Sequence, residues 1–132
     1  GDVYKRQVLR SCRISNLSTI NFGTTSGLSA ARAQNTTVQL KCTPDVAWQV
    51  SLSDGLHAQS GARFMAAASE RVAYELYSDS THLSRWGNSQ TSTVNGVGNG
   101  TLQNLTVYGH VPAQPSAVPG TYQDTVTMTL TY

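Results

Sequence analysis

Charge is scarce in this chain: Asp, Glu, Lys and Arg make up 12% of its 132 residues, and the formal net charge is only +2. The nine basic residues are scattered, which excludes the clustered Lys/Arg footprint of a nucleic-acid binder. No apolar run approaches the roughly 18 residues of a membrane-spanning helix. His57, His82 and His110 stand far apart with no His or Cys at ligand spacing, so no zinc site is expected. A Gly-x-Ser-x-Gly elbow and a Gly-rich phosphate loop are both missing, and no cofactor is expected. Asp54, Glu70, Asp79 and Asp124 are spread along the chain. A small secreted hydrolase would need two such carboxylates within about 10 Å in a cleft.

Hydrophobic residues are 39% of the chain, and Ser, Thr, Asn and Gly fill much of the rest. That composition fits one Thr/Ser-coated β-domain rather than a helical enzyme or a disordered tail. Cys12 and Cys42 are the only cysteines. So widely separated a pair, without a CxxC, reads as a structural disulfide in an oxidising compartment; the alternative is two buried thiols in the cytosol. A bridge closing that loop contributes roughly 3–4 kcal/mol in the chain-entropy account. Residues 1–7 form a separate segment, because Asp2-Val-Tyr-Lys-Arg-Gln7 resembles a translated sequencing adapter. It is excluded from fold reasoning, which leaves residues 8–132 as the domain.

Period-2 patterning runs through what remains. Cys12 to Gly23 reads as a kinked strand and Thr36 to Thr43 as another, with Val38, Leu40 and Cys42 on one face. Val46 to Leu52 places Val46, Trp48, Val50 and Leu52 inside, and the spacing predicts a hairpin over Thr36–Leu52. Phe64 to Arg71 reads as strand, connection, strand, despite some helical propensity. Val72 to Tyr77 and Leu102 to Val111 are further strands. Asn95 to Gly100 has the composition of a flexible loop tip. The final residues alternate Thr at odd positions with Val126, Met128, Leu130 and Tyr132 at even ones, a half-buried strand. Roughly seven strands with little helix indicate a β-sandwich.

Sequons occur at Asn16, Asn35, Asn99 and Asn104, as chance allows in a chain rich in Asn, Ser and Thr. Trp48 sits in mid-strand and belongs to the core. Trp86, between Arg85 and Gly87, is the candidate exposed binder, with the Asn95–Gly100 loop beside it.

Landmarks in order along the chain resemble the spore coat protein U domain family. They are Cys12, Ile20-Asn-Phe-Gly23, Leu40-Lys-Cys-Thr43, Val50-Ser-Leu-Ser-Asp-Gly55, Tyr74-Glu-Leu-Tyr-Ser-Asp79 and Trp86-Gly87. The strongest are Leu105-Thr-Val-Tyr-Gly-His-Val-Pro112 and Pro119-Gly-Thr-Tyr-Gln-Asp-Thr-Val-Thr-Met-Thr-Leu-Thr-Tyr132. The family includes subunits of archaic chaperone–usher pili. The resemblance implies an all-β, incomplete immunoglobulin-like sandwich whose open edge is completed by a donor strand. It implies a secreted subunit of a surface fibre, without enzymatic activity, that passes through the periplasm and serves adhesion or biofilm formation. Its implied partners are a periplasmic pilus chaperone, an outer-membrane usher and neighbouring pilus subunits. On this reading Ile14, Leu17, Ile20 and Phe22 from the first strand, with Val126, Met128, Leu130 and Tyr132 from the last, line the donor-strand groove. A pilin also carries an alternating apolar extension before its first Cys. Here only Val8-Leu-Arg-Ser11 precedes Cys12, so the strand-accepting half is expected and the donating half is not. The alternatives are a carbohydrate-binding or adhesin module and a spore or envelope coat protein.

Overall fold

The computed structural model describes residues 9–15, 24–25 and 27–132. Eleven strands and no helix occur among them: β1 (Cys12–Ser15), β2 (Thr24–Thr25), β3 (Arg32–Cys42), β4 (Ala47–Leu52), β5 (Phe64–Ala67), β6 (Glu70–Ala73), β7 (Glu75–Tyr77), β8 (Val94–Val97), β9 (Leu102–Val111), β10 (Gly120–Thr121) and β11 (Met128–Thr131). Two open antiparallel sheets form the sandwich, one ordered β1-β3-β9-β7 and the other β11-β4-β8. The β5–β6 hairpin and the short β2–β10 pair make two further small sheets. The architecture is all-β and open, as the sequence predicts.

Alternation decides which face of each strand is buried. Val46, Trp48, Val50 and Leu52 are all buried, as are Val38, Leu40 and Cys42 opposite them. Val72, Tyr74 and Leu76 bury one continuous face, but the run is not one strand: β6 pairs with β5, whereas β7 pairs with β9. Phe64–Ala73 folds as strand, turn, strand, and Ala68 takes the left-handed conformation in the turn (φ 53°).

Two local expectations are corrected. Thr36–Leu52 is not a hairpin. β3 has β1 and β9 as its two neighbours and β4 has β11 and β8, so neither has a free edge for the other. The link through Thr43, Pro44 and Asp45 (φ 69°) carries the chain from one sheet to the other, and the two apolar faces meet across the core. Nor is Asn95–Gly100 a flexible tip, because Val94–Val97 is strand β8, paired with β4. Gly96 is required there by packing, since a Cβ would overlap the Trp48 ring.

Candidate functional site

The two sandwich sheets end on the same flank, at β1 and β11, which come within 8 Å of each other. Among the described residues each has one strand neighbour only: β3 for β1 and β4 for β11. Successive backbone units of a strand point to opposite sides, so a few hydrogen bonds fix which groups face the open edge. Ser53 N–H donates to the Thr127 carbonyl at 2.9 Å, while Leu52 N–H donates away from β11, to Gly87 O at 3.1 Å. With Met128 opposite Leu52, the odd residues of β11 bond to β4. Val126, Met128 and Leu130 therefore turn their backbone groups to the open side. On β1, Ser11 O accepts from Thr43 N–H at 2.8 Å, which turns Cys12 and Ile14 to the open side.

The same even residues point their side chains inward. Ile14, Val126, Met128 and Leu130 are half-buried and pack against the core, while the threonines between them are exposed. Tyr132, just beyond β11, is 50% exposed. Leu17, Ile20 and Phe22 lie outside the described residues. Among the described residues the flank thus has strand edges without a second strand neighbour, above the half-buried Ile14, Val126, Met128 and Leu130.

Both walls are pinned. Cys12 and Cys42 are bridged, with Cα atoms 4.1 Å apart. They form a non-hydrogen-bonded pair of the β1–β3 ladder, since Cys42 O accepts instead from Gly100 N–H at 2.9 Å, and in such pairs side chains lie closest. On the other wall, the segment entering β11 is anchored by Asp124, whose side chain is 3% exposed. Its Oδ1 accepts from the His57 backbone N–H (3.1 Å) and lies 2.9 Å from His57 Nδ1, and its Oδ2 accepts from the Tyr74 hydroxyl. Burial, then the Asp124 carboxylate, pushes the Tyr74 phenol well above its ordinary pKa. Gly55 (φ 95°) lies against Asp124 Oδ2, where a Cβ has no room.

Beside this anchor Arg63 is 1% exposed. It donates to Ser53 O at 2.6 Å, Trp86 O at 2.8 Å and Glu75 Oε1 at 2.5 Å. Arg85 continues the network, with Nε 2.8 Å from Glu75 Oε2 and Nη2 2.8 Å from Asp54 Oδ1. Two carboxylates are therefore linked, Glu75 and Asp54, but as ion-pair partners of the one Arg85 guanidinium. Nothing in sequence marks Arg63, which sits in an ordinary Gly-Ala-Arg-Phe stretch; its role comes from carbonyls contributed by distant segments.

Trp86 is corrected from exposed binder to core residue: it is 1% exposed, and its indole N–H donates to Val50 O at 3.0 Å. Its polar neighbours Arg85 and Gly87 suggest a loop, but Arg85 is drawn into the ion network and Trp86 N–H bonds to Leu76 O at 2.9 Å, which turns the ring inward. Among the described residues no group of three or more His, Cys, Asp or Glu side chains is placed to hold a metal, and no helix is long and apolar enough to cross a membrane.

The fold defines an open, all-β immunoglobulin-like sandwich. The chain belongs to the spore coat protein U domain family, whose model matches residues 2–129. It is 32% identical over 128 residues to Protein U of Myxococcus xanthus, covering 86% of this chain and 72% of that protein. It is also similar, with a TM-score of 0.70 and 28% identity, to a chain in the crystal structure of the CsuC–CsuE chaperone–tip adhesion subunit pre-assembly complex from archaic chaperone–usher Csu pili of Acinetobacter baumannii. That match covers 95% of this chain and 40% of the other, so this chain spans less than half of that protein's length.

Proposed function

We propose that this chain is a structural subunit of a secreted surface fibre of the archaic chaperone–usher type, assembled by donor-strand complementation. The observation that carries the reading is the β1/β11 flank, where inward side chains and outward backbone groups belong to the same residues, Cys12 and Ile14 on one wall and Val126, Met128 and Leu130 on the other. An extended segment with alternating apolar side chains satisfies both at once. A periplasmic chaperone supplies that segment first, and the neighbouring subunit replaces it during usher-guided export. The family membership and the similarity to a chain of a chaperone–pilus complex support these partners. The fibre then stands on the cell surface, in adhesion or biofilm formation. The function is mechanical rather than catalytic, which accords with the structural ion pairing of Glu75 and Asp54.

Similarity to Protein U keeps a second reading, a component of a spore or envelope coat. The two separate on one measurement. The oxidised chain is titrated with alternating apolar peptides taken from the N-terminal extensions of sister subunits, and its melting temperature is followed. A pilus subunit shows a rise of several degrees that a scrambled peptide does not reproduce. No rise with any such peptide counts against donor-strand assembly.

A further inference from the structure

The fold brings together two histidines that stand far apart in the sequence, on the outer face of the β1-β3-β9-β7 sheet. His110 lies on β9 opposite Glu75, and its neighbours Gly109 and Val111 are buried, so its half-buried side chain is turned to the outside. His82 comes from the turn after β7. Ser78 N–H bonds to Ser84 O at 3.0 Å and Trp86 N–H to Leu76 O at 2.9 Å, which closes residues 79–83 into a tight tip. Asp79 organises that tip by accepting from the Leu83 and Ser84 backbone N–H groups, at 3.1 and 2.9 Å, and from the Thr81 hydroxyl. His82 takes the left-handed conformation there (φ 58°), which histidine tolerates better than most residues. Its ring comes back over the sheet, 5.2 Å from the Tyr77 ring and 4.8 Å from that of His110, centroid to centroid. Among the described residues no hydrogen bond or ion pair engages either imidazole. The carboxylates on and just after β7 are already committed, Glu75 to Arg63 and Arg85, and Asp79 to its own turn.

We infer that His82 and His110 form a surface site for a divalent transition ion of the Cu(II) type, held by the two imidazoles and completed by water. A metal-bound imidazole nitrogen lies about 2.0 Å from the ion, which puts the ring centroid about 3.2 Å away. Two such rings are then about 4.5 Å apart in adjacent positions of a tetragonal ion and about 5.2 Å apart in a tetrahedral one. The observed 4.8 Å falls between these values, so one ion fits without opening the fold. Rotation of each half-buried ring about χ2 selects the nitrogen that turns to the ion. Ligand count then selects the metal. Structural zinc takes four protein ligands and catalytic zinc three, and no third His, Cys, Asp or Glu joins this pair among the described residues. Calcium and magnesium require oxygen ligands. Imidazole suits Cu(II), which stands highest among the first-row divalent ions and takes a tetragonal geometry. β7 is the edge of its sheet opposite β1, so the site is separate from the β1/β11 flank.

The test is titration of the disulfide-intact chain with copper(II) chloride in a non-coordinating buffer, followed by calorimetry and electron paramagnetic resonance. A tetragonal spectrum with coupling to two imidazole nitrogens is expected. His110→Gln and His82→Asn each remove one ligand, and asparagine keeps a residue that accepts the left-handed turn. Either substitution is expected to reduce the coupling to one nitrogen and to weaken binding at least about tenfold. His57 is present in both variants, so binding that survives both substitutions unchanged belongs elsewhere and overturns the assignment. Absence of two-nitrogen coupling in the wild type, or tighter binding of zinc chloride than of copper, overturns it as well. If one variant fails to fold, the other and the wild-type spectrum decide. None of these readouts depends on the β1/β11 flank.

Discussion

Two side chains set the polar interior at one end of the sandwich, and each makes a separable prediction. Arg63 satisfies carbonyls from Ser53 and Trp86, far apart in sequence, together with one oxygen of Glu75. Arg63→Met leaves those carbonyls buried without donors. Removing one partner of a buried polar set costs about 3–5 kcal/mol, against under about 0.5 kcal/mol for an exposed change such as Arg71→Gln. Urea unfolding of the two variants measures the difference. Tyr74 gives a pH signature. Its phenol ionises less readily folded than unfolded, because burial and the Asp124 carboxylate disfavour the anion. A folded-state pKa raised above the unfolded value gives stability that is full below the unfolded value of about 10 and is lost as pH rises beyond it. Tyr74→Phe is therefore expected to cost about 1–3 kcal/mol at neutral pH, by orphaning an Asp124 bond, while flattening the fall in melting temperature above pH 10. A wild-type alkaline slope in Tyr74→Phe contradicts this account.

At the scale of elements, β11 is the sharpest case. Its alternation is complete in the sequence, and burial follows it: Val126, Met128 and Leu130 half-buried, Thr125, Thr127 and Thr129 exposed. Met128→Asp or Leu130→Asp puts a charge on the apolar floor and is expected to abolish binding of an alternating donor peptide. Thr129→Lys, on the outer face of the same strand, is expected to leave it within about twofold, since exposed polar changes alter stability by under about 0.5 kcal/mol. Peptide titration of all three measures whether the inward face is the binding face. The contrast also shows what period-2 reading can reach. It finds β4, β9 and β11 because each buries one face, a local property of the string. It does not find which strand lies beside which, so β3 and β4 look like a hairpin while belonging to different sheets. Strand choice depends on partners far away in sequence, and the fate of Trp86 depends on Val50 O and Leu76 O, which no window around residue 86 contains.

For the whole molecule, the asymmetry between the two walls of the open flank matters most. β11 continues a ladder begun upstream, where Leu56 N–H bonds to Thr125 O and Ser53 N–H to Thr127 O, each at 2.9 Å. Among the described residues β1 is Cys12–Ser15, with β3 as its strand neighbour and the Cys12–Cys42 bridge. An edge strand frays readily unless tied down. Two separable effects of the bridge are to be tested: restriction of the unfolded chain, and retention of Ile14 in place on this flank. Reduction should cost about 3–4 kcal/mol from the first effect, given the 30-residue separation. If the second effect operates, amide exchange at β1 accelerates beyond the global change, and donor-peptide affinity falls even at temperatures where the reduced chain is still folded. Cys12→Ala/Cys42→Ala, measured at low temperature by hydrogen exchange and peptide titration, separates the two. Loss of stability with peptide affinity retained assigns the disulfide to the unfolded state alone; loss of both makes it a structural part of the strand-accepting flank.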